Sequence, residues 1–203
     1  MPAIWPTFVS NVGTYLNTPS EGKTEEETAE KIAFAYHTAV STAQVILYPN
    51  LVLVRPSYLP LKNAILKTFD DIKRSEKKPT PAQFASWADA VVNYWNQSQF
   101  SPIPFHPQSI IESTGTAGIP IPISHMVTSG GNASKLKADL HKVFNRGPQR
   151  GKYGIPFATE LSKAFISHLQ SVKGEHKLTV IPGTPATPGP AIIAKPFKWN
   201  GVA

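Results

Sequence analysis

The sequence predicts a mainly α-helical protein, a small bundle of about five helices carrying long proline-rich extended arms. Three observations carry that reading. Apolar residues recur at three- and four-residue steps in several separate stretches. Capping-box pairs, Thr24 with Glu27 and Thr80 with Gln83, open two of them. The prolines, 20 in 203 residues against a usual share of about 5%, gather mostly between and outside those stretches.

Residues 1–23 read as an N-terminal extended arm, because Pro2, Pro6 and Pro19 bracket Trp5, Phe8 and Val9. The aromatic side chains of such an arm need a surface, either the chain's own core or a neighbouring subunit. The longest clean helical period follows, from Thr24 to Leu47. Glu25, Glu26 and Glu27 place negative charge at the positive end of its dipole. Ala29, Ile32, Ala33, Tyr36, Ala39, Val40, Ala43 and Leu47 form one face, rich enough in alanine for a neighbouring helix to come close. Tyr48-Pro49-Asn50 breaks the pattern, and Leu51 to Val54 is a short strand or a buried extended link.

A second helix starts near Leu59 or Pro60, with Leu61, Ile65, Phe69 and Ile72 on one face. Its C-terminal end carries Lys73, Arg74, Lys77 and Lys78, where cations suit the dipole. Thr80-Pro81-Ala82-Gln83 opens a third helix, with Phe84, Trp87, Ala88, Val91, Val92 and Trp95 inward. Residues 24–99 are therefore one helical region. Residues 100–128 read as a proline-rich extended linker whose apolar teeth are Ile103, Phe105, Ile119 and Ile121. Residues 129–174 read as a helical hairpin. Leu136, Leu140, Val143 and Phe144 face inward on its first helix, and Phe157, Leu161, Ala164, Phe165 and Leu169 on its second. Residues 175–203 read as a C-terminal proline-rich arm with Ile192, Ile193, Phe197 and Trp199 as teeth.

The two helical regions share a spacing. Leu61-Lys62, Ile65, Lys67 and Phe69 match Leu136-Lys137, Leu140, Lys142 and Phe144, and Phe84-Ala85 matches Phe157-Ala158. Either two helical hairpins are duplicated, with the first long helix across or beside them, or two ordinary amphipathic helices coincide in period.

Composition limits the chemistry. There is no cysteine, which excludes disulfides, thiolate metal sites and cysteine nucleophiles. Charged residues are 16%, against a usual share of about 25%. The net charge of +7 admits an acidic or nucleic-acid partner without requiring one. No signal peptide and no membrane span are expected, since the most apolar run, Val45 to Val54, is interrupted by Pro49 and Asn50. His37, His106, His125, His141, His168 and His176 never stand three or four apart, so no helical metal pair exists. Asp70 and Asp71 read as a solvated helix face, and no GxSxG or P-loop is present. No cofactor is expected. The basic residues Lys142, Arg146, Arg150 and Lys152 are candidate phosphate contacts, though no nucleic-acid-binding signature accompanies them.

The start MPAIWPTF, the helix AEKIAFAYHTAV and the stretch VVNYWNQSQFSPIPFHP resemble small virion structural proteins of tailed bacteriophages, cyanophages in particular. The residues that carry the likeness are Ile32-Ala33, Ala35-Tyr36-His37, Ala39-Val40 and Tyr94-Trp95, and it covers roughly residues 1–107. The resemblance implies a non-enzymatic subunit of the tail, baseplate or neck, assembled in the host cytoplasm and oligomeric with other virion proteins. On that reading Trp5, Phe8, Ile103, Phe105, Ile119, Ile121, Ile192, Ile193, Phe197 and Trp199 contact neighbouring subunits. The alternative is a basic accessory protein that binds nucleic acid, and an enzyme ranks third.

Overall fold

The computed structural model describes residues 3–18, 23–45, 51–75, 77–102, 124–147, 149–177 and 197–202. Helices dominate it, joined by a small antiparallel sheet. The first helix is α1 (Trp5–Asn17), where an extended arm was expected. Pro6 lies in its first turn, where the missing N–H costs nothing. Phe8, Val12 and Leu16 recur at four-residue steps and are buried, so Phe8 belongs to the chain's own core and Trp5 packs against it. The prolines around that segment hid a helical period. The next helix, α2 (Glu25–Ala39), begins on the expected capping box. The Glu27 N–H donates to Thr24 Oγ1 at 3.1 Å, and the Thr24 N–H donates to Glu27 Oε2 at 3.3 Å. It ends earlier than its period suggests, in a 3-10 turn over Val40–Thr42. The Ile4 N–H donates to the Ala39 carbonyl at 2.8 Å, so α1 and α2 form a tied hairpin.

Two further hairpins follow, each framed by strands. β1 (Leu51–Val54), α3 (Leu59–Arg74), α4 (Ala85–Asn96) and β2 (Gln99–Pro102) make one. β3 (Ser124–Ser129), α5 (Ala133–Asn145), α6 (Gly154–Leu169) and β4 (Lys173–Lys177) make the other. With β5 (Phe197–Asn200) the strands form an antiparallel sheet in the order β1-β2-β3-β4-β5. An isolated bridge joins Val45 to Val202 beyond β5. The expected linker 100–128 is thus strand at both ends, and the expected C-terminal arm contributes β5, which pairs with β4 from His176↔Phe197 to Lys173↔Asn200. Ile103, Phe105, Ile119, Ile121, Ile192 and Ile193 lie outside the described residues.

The expected duplication is better described as three repeats. The first helices present the same four-residue ladder: Phe8, Val12 and Leu16 in α1; Leu61, Ile65 and Phe69 in α3; Leu136, Leu140 and Phe144 in α5. In the second helices the buried positions correspond across α2, α4 and α6. Ala29 aligns with Phe84 and Ala158, Ile32 with Trp87 and Leu161, and Tyr36 with Val91 and Phe165. Beyond the helix ends, Ala43, Ser98 and Val172 are all buried at the next shared position. This alignment moves Phe84 one place from the Phe157 it was matched to in the sequence. The strands agree with it, since Leu53↔Phe100, Val127↔Gly174 and Val202↔Val45 each pair the first strand of a repeat with its last. The N-terminal repeat therefore takes its first strand from the C-terminal end of the chain.

Packing follows the repeat. Each first helix sits between two second helices: α3 between α2 and α4, α5 between α4 and α6, and α1 between α6 and α2. The second helices meet at the centre through large rings. Tyr36 and Phe165 stand 4.7 Å apart, and Trp87 and Phe165 6.4 Å apart. The Trp95 Nε1–H donates to the Tyr36 hydroxyl at 2.7 Å, a buried bond between α4 and α2. The α1–α6 contact depends on Gly13 and Gly154. A Cβ on Gly154 would stand 2.8 Å from the Leu16 Cβ and 2.9 Å from the Gly13 carbonyl oxygen.

His168 near the end of α6 is only 3% exposed, and neither ring nitrogen has a hydrogen-bond partner among the described residues. Burial pushes its pKa down from 6.5 to about 4. The unfolded chain therefore binds a proton that the folded chain refuses. The stability this withholds is fully present above pH 6.5 and falls as pH drops from 6.5 towards 4. The difference is on the order of 3 kcal/mol at the acid end. Urea unfolding at pH 7 and pH 4.5 should show that loss in the wild-type chain and a much smaller one in His168→Leu.

Candidate interaction surface

Among the described residues, β1, α2 and the start of α3 carry four exposed large apolar side chains. Val52 and Val54 alternate with buried Leu53 along β1, so they share the opposite face and are 48% and 52% exposed. Phe34 falls off the apolar stripe of α2 and is 51% exposed, and Leu59 at the start of α3 is 52% exposed.

Polar side chains fix these elements to one another. Arg55 Nη1 donates to the His37 carbonyl, which ties the end of β1 to α2. Tyr58 lies between β1 and α3, and its ring packs edge-on against Phe34 at 5.6 Å and tilted against His37 at 5.5 Å. Its hydroxyl donates to Glu30 Oε1 at 2.6 Å. Lys62 of α3 completes the seam with Glu26 at 2.9 Å and Glu30 at 3.1 Å. The Tyr58 hydroxyl, then Lys62, holds the Glu30 carboxyl below its usual range. Behind them the Tyr94 hydroxyl meets His37 Nδ1 at 2.9 Å. Burial, and then the charge of Arg55, lowers the His37 pKa. Burial raises that of Tyr94.

This arrangement holds a surface in shape. Its hydroxyls, imidazole and carboxylate bond to one another, and none forms a nucleophile–base–orienter chain open to a substrate. Among the described residues no group of three or more His, Asp or Glu side chains could hold a metal ion. No helix among them is long and apolar enough to cross a membrane.

Each candidate phosphate contact has a neighbour of its own. Lys142 stands 3.6 Å from Asp139 on its own helix, and Arg146 pairs with Glu160, which also takes Lys163. Arg150 Nη2 donates to Thr28 Oγ1 at 3.1 Å, and Lys152 lies over the Tyr153 ring at 5.2 Å. Of the residues expected to contact other subunits, Trp5 and Phe8 pack internally, and Phe197 and Trp199 take backbone places in β5. Phe34 escaped that expectation, although its position across the helical wheel from Ile32 and Tyr36 already puts it outside. The exposure of Val52 and Val54 has no such signal, since a four-residue apolar run does not say which face is covered. Comparison with family models, curated proteins and solved structures finds no match for this chain.

Proposed function

We propose that this chain is a non-enzymatic structural subunit of a tailed-bacteriophage virion, in the tail, baseplate or neck, which binds a neighbouring subunit through the outer face of β1 and α2. The observation that carries the reading is the cluster of Phe34, Val52, Val54 and Leu59. Four large apolar side chains around half exposed are held on a braced surface that contains no reactive constellation. The resemblance of residues 1–107 to virion proteins supplies the particle context. The nucleic-acid reading has less support, because Lys142 and Arg146 have acidic neighbours of their own.

Phe34→Lys and Val54→Lys place charges on exposed positions and are expected to change stability by less than about 0.5 kcal/mol each. Density-purified particles from infected cells should contain the wild-type chain, detected by antibody, and should exclude the double variant. Incorporation of the double variant at the wild-type level would overturn the docking face. Absence of the wild-type chain from particles would overturn the virion reading.

A further inference from the structure

An open pocket of about 150 Å3 lies at the end of the bundle away from the sheet. It is formed where the second helices begin and the first helices end. Leu16, Phe69 and Phe144, the last rungs of the three equivalent ladders, converge there with Ile32 and Phe157. The repeat explains why the space is not filled. The position that carries Phe157 in α6 carries Thr28 in α2, and a hydroxyl and a methyl replace a ring. Phe144 and Phe157 stand edge to face at 5.2 Å and form one wall. The space is open to solvent and its lining is mixed, apolar side chains together with Glu25, Thr28, Gln149 and Arg150.

The polar groups all sit on one side. Thr28 Oγ1 donates to the Thr24 carbonyl and accepts from Arg150 Nη2 at 3.1 Å. Gln149 joins the lining beside Arg150. The one carboxylate there, Glu25, is paired with Lys73 at 2.9 Å. Arg150 stands within ion-pair distance of no carboxylate among the described residues. Its guanidinium carries five donors in a planar fork and spends one on Thr28. A planar anion above an apolar floor matches both features at once.

We infer that this pocket binds a small aromatic carboxylate, with the ring against the wall made by Phe144 and Phe157 and the carboxylate on Arg150. The site is separate from the proposed docking face and does not depend on the virion reading. The test is titration of the full chain with benzoate, followed by amide NMR, with benzyl alcohol as the uncharged control. Benzoate should shift the amides of Thr28, Gln149, Arg150 and Phe157, and should bind about tenfold more tightly than benzyl alcohol. Arg150→Gln should erase that preference and leave weak binding of both. Thr28→Phe, which places a ring at the equivalent position, should remove both. The inference is overturned if benzoate at tens of millimolar leaves those amides unmoved, or if Arg150→Gln binds benzoate as the wild type does.

Discussion

Trp87→Ala is expected to lower stability by about 3–5 kcal/mol, the usual cost of removing a large buried ring. For a domain with about 5–15 kcal/mol in total, that is enough to bring unfolding near room temperature. The reason lies in its position. Trp87 is fully buried on α4, facing the centre of the bundle, with Phe69, Phe144 and Phe165 around it. Those rings belong to α3, α5 and α6, so one side chain joins three other helices across two repeats. Its equivalents in the other repeats, Ile32 and Leu161, are smaller, so the indole fills the largest share of the shared centre. Denaturant unfolding of the variant measures the loss, and a value under 1 kcal/mol would show that the centre is not packed as described.

A comparison of two phenylalanine substitutions sharpens this. The Trp87 indole N–H is buried with no hydrogen-bond partner among the described residues, while that of Trp95 donates to Tyr36. Trp87→Phe loses volume and also removes an unsatisfied donor. Trp95→Phe loses similar volume and deprives the buried Tyr36 hydroxyl of its partner, a further cost of about 1–3 kcal/mol. Trp95→Phe is therefore expected to be the more damaging of the two.

Removing residues 197–203 is expected to be nearly as severe. The deletion strips the neighbour of β4 and takes away Val202, which is 3% exposed. It also removes the bonds from Gly201 N to the Val172 carbonyl at 2.8 Å and from Val202 N to the Leu169 carbonyl at 3.1 Å. Burial of a valine alone contributes about 1.5–3 kcal/mol. The thermal midpoint should fall by about 10 °C or more, given about 2–4 °C for each kcal/mol in a chain of this size. The larger effect is architectural. Without residues 197–203 the α1–α2 hairpin has no first strand, since Val45 bridges to Val202. Circular dichroism melts of the truncated chain test this. A midpoint unchanged within 2 °C would mean that the N-terminal repeat closes without it.

Much of the helical architecture was legible in the sequence for a local reason. Capping boxes at Thr24 and Thr80, the Pro at the start of α3 and the three- and four-residue apolar steps are all encoded within a single helix. Each therefore reads the same in isolation as in the fold. α1 is the instructive failure. Its ladder of Phe8, Val12 and Leu16 is as regular as those of α3 and α5, but Pro6 and the nearby prolines read as an arm, which leaves open whether Trp5 and Phe8 bury on the chain's own core or on a neighbouring subunit. The repeat suffered in the same way. Two copies were visible where the ladders share Leu and Phe, and the third, with Val12 and Leu16, was not.

The sequence by itself determined where the helices after α1 begin, which side of each of those is apolar, and that cysteine and helical metal-pair chemistry are absent. The tertiary structure alone decided that β1 to β5 make a sheet, that the N-terminal hairpin is completed from residues 197–202, and which apolar side chains stay uncovered. The physical reason is range. A helix bonds the backbone within a few residues, so its signals are local. A strand is satisfied by a partner that here lies between 21 and 157 residues away, from His176↔Phe197 to Val45↔Val202. Exposure is likewise a property of what packs against a face. Val52, Val54 and Thr28 became informative only once the neighbouring helices and strands were in place.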